Sequence, residues 1–134
     1  MNNLLSYIYW RGDLTFEQDP LNEIDAMIFS EFAYIDFSTL APTLLENGLL
    51  TIKEAANHWE EANQEDFMPT GYLHHRKAYE TLSLAGASTR FSDILIAKQI
   101  DEVNVNEESQ FGVTTFNRKD EPFFIAFDVH SDVH

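Results

Sequence analysis

FGVTTF (Phe111–Phe116), NRKDE (Asn117–Glu121) and FFIAF (Phe123–Phe127) follow one another near the end of a 134-residue chain. Two apolar, aromatic and β-branched runs flank five polar residues, the pattern of two strands joined as a β-hairpin. Working back from the hairpin, Ile94, Leu95, Ile96, Ala97 and Ile100 fit a strand or a short helix, with the strand favoured. Everything before Gly86 carries a different period.

Upstream, Leu21, Ile24, Ile28, Phe32 and Ile35 recur at three- and four-residue spacing. One apolar stripe of that kind predicts a helix over 20–34, opened by Asp19 as N-cap and Pro20 at the first helical position. Thr51-Ile52-Lys53-Glu54 reads as a capping box, in which Thr51 and Glu54 satisfy each other's backbone donors. Ile52, Ala55, Ala56, Trp59 and Ala62 then form a narrow apolar face on a helix over 52–64, with Glu60, Glu61, Glu65 and Asp66 on the solvated side. Met68-Pro69-Thr70-Gly71 breaks the chain. A third helix is expected over 72–85, burying Leu73, Tyr79 and Leu82. The class is therefore α+β: N-terminal helices followed by an antiparallel β-hairpin or small sheet.

A chain of this length is one ordinary domain, able to bury about two-thirds of its unfolded surface. Hydrophobic residues make up 44%, which is globular composition. Eight basic residues against 23 acidic give a formal charge of −15. Such a field repels phosphate backbones and anionic lipid, so no nucleic-acid partner is expected. No apolar run approaches the ~20 residues of a membrane span, so none is expected. The absence of cysteine removes disulfides and thiolate ligands and fits a reducing compartment. Met1–Trp10 has no basic residue ahead of its apolar stretch, unlike a signal peptide, and a cytoplasmic protein is the expectation.

Several stretches invite a chemical reading. The tail, Asp128-Val129-His130-Ser131-Asp132-Val133-His134, places Ser131 after a strand, in the position of a hydrolase nucleophile. The frame is V-x-S-x-V, however, with valines where the strained elbow needs glycine. Ser88 in Gly86–Arg90 fails in the same way, because Arg90 replaces the second glycine and no strand leads in; that segment is a loop or helix end. A strand continued through the tail would set Asp128, His130, Asp132 and His134 on one face, a plausible donor set for a divalent ion. A terminal segment is expected to fray instead, and His74-His75 on a helix cannot face one direction, so no metal is assigned. Arg11-Gly12-Asp13 is a tight turn with a local charge pair. Asp101–Glu108 is acid-rich but lacks the glycine and spacing of a calcium loop, and is expected to be a solvated loop. No catalytic, cofactor-binding or metal-binding residue is assigned, and no cofactor is expected.

Taken together, YIYWRGDLTF (Tyr7–Phe16), Asn22–Asp25, SEFAYIDF (Ser30–Phe37), Arg90-Phe91, Gln110–Thr114 and Phe124–Phe127 resemble a bacterial lipase-like α/β-hydrolase family (domain of unknown function 2974). The blocks follow the family's order over residues 3–127. The resemblance implies a partial hydrolase-like domain over 1–127 and a disordered, non-family tail over 128–134. In the family the F-I-A-F strand runs into an R-G-T-D segment, and a G-H-S-x-G elbow comes later; here Asp128 follows Phe127. The implied function is the N-terminal fragment of a lipase- or esterase-like serine hydrolase, truncated before its nucleophile and inactive as it stands. The early antiparallel strands of such a fold lie at one edge of a larger sheet. An unpaired edge would then favour self-association or a protein partner. The alternative is a small acidic binding or inhibitor-type protein without catalysis.

Overall fold

A computed structural model describes residues 3–62, 73–104 and 109–131. Among the described residues the chain is α+β, with six helices and one three-stranded antiparallel sheet. The helices are α1 (Asn3–Arg11), α2 (Glu23–Phe32), α3 (Phe37–Leu40), α4 (Pro42–Glu46), α5 (Ile52–Glu61) and α6 (Leu73–Gly86). The strands β1 (Leu95–Asn104), β2 (Ser109–Arg118) and β3 (Glu121–Ser131) lie in the order β1-β2-β3.

Helix α2 starts later than expected. Its N-cap is Asn22, not Asp19, and the Asn22 side chain accepts from the Ile24 and Asp25 amides at 2.8 and 3.1 Å. Asp25 reaches back to the Asn22 amide at 3.0 Å and closes a capping box. The buried stripe is Asp25, Ile28, Phe29 and Phe32, whereas Leu21 and Ile24 are 39% exposed. The expected stripe was therefore rotated toward solvent at its N-terminal end.

Helix α5 begins at the expected residue but with only half of the expected capping box: Thr51 Oγ1 accepts from the Glu54 amide at 3.1 Å, and Ile52, Ala55, Ala56 and Trp59 are buried. It ends at Glu61, and residues 63–64 of the expected helix lie outside the described ones. Tyr79 and Leu82 of α6 are buried as expected, and Tyr79 stacks on Trp59 at 4.1 Å between ring centroids. The side chain of Leu73 is outside the described set. Gly86 lies so close to α5 that a Cβ there would collide with the Ala56 methyl.

Three helices carried no sequence signal strong enough to be expected: α1, α3 and α4. Asp36 caps α3 through the Thr39 amide at 3.2 Å, and its two oxygens take the Ser38 and Thr39 hydroxyls at 2.7 Å each. Pro42 opens α4.

The hairpin is tighter than a five-residue link. Arg118 pairs with Glu121, leaving Lys119 and Asp120 as a two-residue turn with φ of 53° and 65°. Two successive residues with positive φ give the local twist that antiparallel strands favour. Beyond Phe127 the backbone does not fray: Asp128, Val129, His130 and Ser131 continue β3, opposite Gly112, Phe111, Gln110 and Ser109. Those pairs lie 16 to 22 residues apart in sequence, and each adds to a ladder that the turn has already begun, so the ladder extends cheaply. Of the acidic stretch expected as a loop, residues 101–104 belong to β1 and 105–108 lie outside the described residues.

The helices cover one face of the sheet. Ile96, Thr114, Phe116 and Ala126 point into that layer and are buried. Phe29 of α2 lies 4.9 Å from Phe116 and 5.2 Å from Phe124, ring centre to ring centre. Gln99 fastens the layers at the other end: its amide donates to Ile35 O at 2.7 Å and to Thr114 Oγ1 at 3.0 Å, and its oxygen accepts from the Phe37 amide at 2.8 Å.

Candidate functional site

The strongest concentration of polar chemistry is the buried centre around Arg90, just past the end of α6. Its side chain has no solvent exposure, and neither has that of Asp25. Nε donates to Asp25 Oδ1 at 2.9 Å and NH2 to Asp25 Oδ2 at 2.5 Å, a two-pronged pair. NH1 donates to the Leu14 and Thr15 carbonyls at 3.1 and 3.3 Å, and NH2 to the Pro20 carbonyl at 3.4 Å. A guanidinium has five N–H groups, and these contacts use all five. Burial works against the charge of Arg90, but the hydrogen bonds and charge of Asp25 outweigh it, so its pKa is raised.

Around this pair the loop 13–20 is drawn onto the core. The Phe16 ring lies under the Arg90 guanidinium at 4.0 Å and meets Phe123 edge-on at 4.8 Å. Tyr7 accepts from the Asn22 amide group at 2.8 Å, and its pKa is raised, first by burial. The turn at Arg11–Asp13 forms as expected: the Gly12 amide donates to Ile8 O at 2.8 Å. The ion partner of Arg11 is Asp19 at 3.7 Å, however, and not Asp13.

Beside Arg90 a groove of about 230 Å³ is lined by Thr15, Glu17, Asp93, Arg118 and Lys119, among others. Of its three cations, Arg90 is held by Asp25, and Glu17 forms ion pairs with both Arg118 and Lys119. The hydrogen bonds from Lys119 and then Arg118 hold the Glu17 carboxyl down to a pKa of about 2. The groove is therefore a clasp between the hairpin tip and loop 13–20, with Arg118 and Lys119 answered by Glu17.

Of the sequence-flagged serines, Ser88 is the one whose side chain is described. Ser88 Oγ donates to Ala85 O at 2.7 Å and accepts from the Phe91 amide at 3.1 Å, so it caps the end of α6. The side chains of His74, His75, Asp128, His130 and Ser131, and residues 132–134 entirely, lie outside the described set. Among the described residues no group of three His, Asp or Glu is placed to hold a metal, and no helix is long and apolar enough to cross a membrane.

The remaining feature is the sheet itself. At its β1 edge, Leu50 and Ile52 already pair: Ile96 N–H donates to Leu50 O at 2.7 Å and Ile52 N–H to Ile94 O at 2.9 Å. At the β3 edge no strand of the described residues follows. The face away from the helices exposes Ile100 by 37%, Ile125 by 49% and Phe127 by 58%. A strand edge beside a partly exposed apolar face is equipped to accept another strand.

Sequence reasoning missed the Asp25–Arg90 pair. A signal existed: Asp25 sits three residues before Ile28, inside an apolar stripe, where an acid must be neutralised by one of only eight cations. Nothing in the sequence says which of the eight, because the two residues are 65 positions apart. No family model, curated protein or solved structure matches this chain.

Proposed function

We infer that this chain is the non-catalytic opening unit of a lipase- or esterase-like serine hydrolase: a helix-backed antiparallel sheet on which further strands are laid. The observation that carries the reading is the β3 edge, beside which no strand of the described residues lies, whereas Leu50–Ile52 pair with the start of β1. In the hydrolase family that the sequence resembles, early antiparallel strands form one edge of a larger sheet, and the resemblance lies in the opening and F-I-A-F blocks. The Arg90–Asp25 centre fits a structural role, because every guanidinium donor is consumed in fixing loop 13–20.

The DNA downstream of the Phe127 codon, read in all three frames, tests the reading. It should encode Arg-Gly-Thr-Asp nearby and a G-H-S-x-G farther on. The 134-residue chain should give no turnover of short acyl esters, with Ser131→Ala unchanged, while the product of the rejoined frame should hydrolyse them. Unrelated sequence in every frame, or turnover abolished by Ser131→Ala, refutes it. A second reading, an acidic non-enzymatic binding module, draws on Tyr9 and Trp10, which are 77% and 78% exposed on α1 in a chain of formal charge −15.

A further inference from the structure

We propose that the end of α1 is a docking surface for an arginine side chain carried by a basic segment of a protein partner. The inference rests on the binding-module reading above, to which it adds the partner's chemistry, and it does not need the hydrolase reading. Helix α1 buries Leu4 and Ile8, one turn apart, and turns Tyr9 and Trp10 outward, 77% and 78% exposed. Single exposed aromatics are ordinary, but these two stand together, their ring centroids 6.1 Å apart and their planes at 84°. Tyr9 also lines a notch of about 150 Å³ between α1 and the end of α6, with Asp13, Leu84 and Ala87 among its walls.

Three observations choose the occupant. The first is size: small-molecule sites run to about 300–1,000 Å³, so this notch has room for one side chain and not for a cofactor or substrate. The second is charge. Asp13 is exposed, and its carboxylate has no hydrogen-bond or ion partner among the described residues; the neighbouring Arg11 pairs with Asp19 instead. An open carboxylate on a chain of formal charge −15 draws a cation and repels an anion. The third is the company of carboxylate and ring. A guanidinium is planar, stacks on aromatic faces and forks its N–H groups onto a carboxylate, which the compact ammonium of lysine cannot match. The chain makes this arrangement once within itself, where Arg90 lies 4.0 Å over the Phe16 ring and forks onto Asp25. Tyr9 and Asp13 offer the same two partners at the surface, and Trp10 widens the aromatic side.

The test follows the amide and indole N–H signals of the full chain by NMR as N-acetyl-arginine amide is added. Of the two tryptophans, Trp59 is buried and Trp10 exposed, so their indole signals report separately. Saturable shifts should appear at Trp10, Gly12 and Asp13 and leave the Trp59 indole in place. The uncharged isostere N-acetyl-citrulline amide should bind about fivefold more weakly or worse, and the lysine analogue about two- to fivefold more weakly. Asp13→Asn and Trp10→Leu should each raise the dissociation constant about two- to fivefold. Glu46→Gln, which removes an exposed acid on α4, should leave it unchanged. Raising salt from about 0.01 M to about 0.15 M should weaken binding. The absence of saturable shifts at the notch overturns the proposal, and so does a Glu46→Gln effect equal to that of Asp13→Asn. Citrulline binding as tightly as arginine overturns it while leaving the binding-module reading in place. The downstream-DNA result bears on the hydrolase reading alone.

Discussion

Replacing Arg90 by methionine keeps much of the side-chain volume and removes the charge with its five donors. Asp25 is then left fully buried with an unanswered carboxylate, and the carbonyls of Leu14, Thr15 and Pro20 lose their donor. Breaking a buried ion pair by deleting one partner costs about 3–5 kcal/mol. The carbonyls sit on a partly exposed loop where water can replace some of the lost bonds, and add about 1 kcal/mol. A total near 5 kcal/mol is a third or more of the stability of an ordinary domain, roughly 5–15 kcal/mol. For a chain of this size it corresponds to a fall in Tm of roughly 15 °C. The assay is urea unfolding followed by circular dichroism, on Arg90→Met, Asp25→Leu and the double variant. Removing both charges should cost at least about 2 kcal/mol less than the sum of the singles, because neither partner is stranded. A loss below about 1 kcal/mol for Arg90→Met, or simple additivity in the double variant, would refute the claim that this pair is dry and holds loop 13–20.

Three further outcomes follow from the geometry. Burial, foremost, pushes the Tyr79 hydroxyl up to about 12 from its ordinary value of 10.0, so above pH 10 the unfolded chain ionises this tyrosine and the folded one does not. Stability should therefore fall by about 3 kcal/mol between pH 10 and 12, a loss that Tyr79→Phe removes, read as urea midpoint against pH. Glu17 has the opposite sign: its carboxyl, held at about 2 against an ordinary value of 4.5, stabilises above about pH 4.5 and loses that contribution as pH falls toward 2. Glu17→Gln should flatten that acid limb, and salt should shrink it in the unmodified chain. Gly86→Ala should destabilise by about 1–3 kcal/mol despite alanine's better helix propensity, and adding Ala56→Gly should restore part of the loss in thermal melts.

What could be read from the sequence was local. Thr51, with Ile52, Ala55, Ala56 and Trp59 behind it, specifies a cap and a narrow face within ten residues, and α5 is found there. The helix over 20–34 was legible in kind but not in phase: Asp19-Pro20 and Asn22–Asp25 are both credible starts, and the choice falls to Asn22 because Asp25 must reach both the cap and Arg90. The turn at Lys119-Asp120 has neither glycine nor asparagine to announce its positive φ. There the paired strands, and ion pairs from Arg118 and Lys119 to Glu17 some 100 residues earlier, favour a conformation that the turn residues alone do not. Helices α3 and α4 are four and five residues long, too short for an apolar period to register.

The phenylalanines carry the last step. Phe29, Phe91, Phe116, Phe123 and Phe124 converge with Phe16 at the seam between helices and sheet, from four separate regions of the chain. Phe16 belongs to a loop with no apolar period, and its place is set by the guanidinium above it and the rings beside it. On β3 the same richness has a second consequence. FFIAF does not alternate between apolar and polar, and a strand apolar on both sides is the pattern of one covered on both faces. Phe124 and Ala126 are covered by the helices, while Ile125 and Phe127 stay about half exposed on the other face. The feature that made this segment legible as a strand is thus the one the helical layer only half uses. A covering layer over Ile125 and Phe127, with a strand along the β3 edge, would complete the burial that its sequence is suited to.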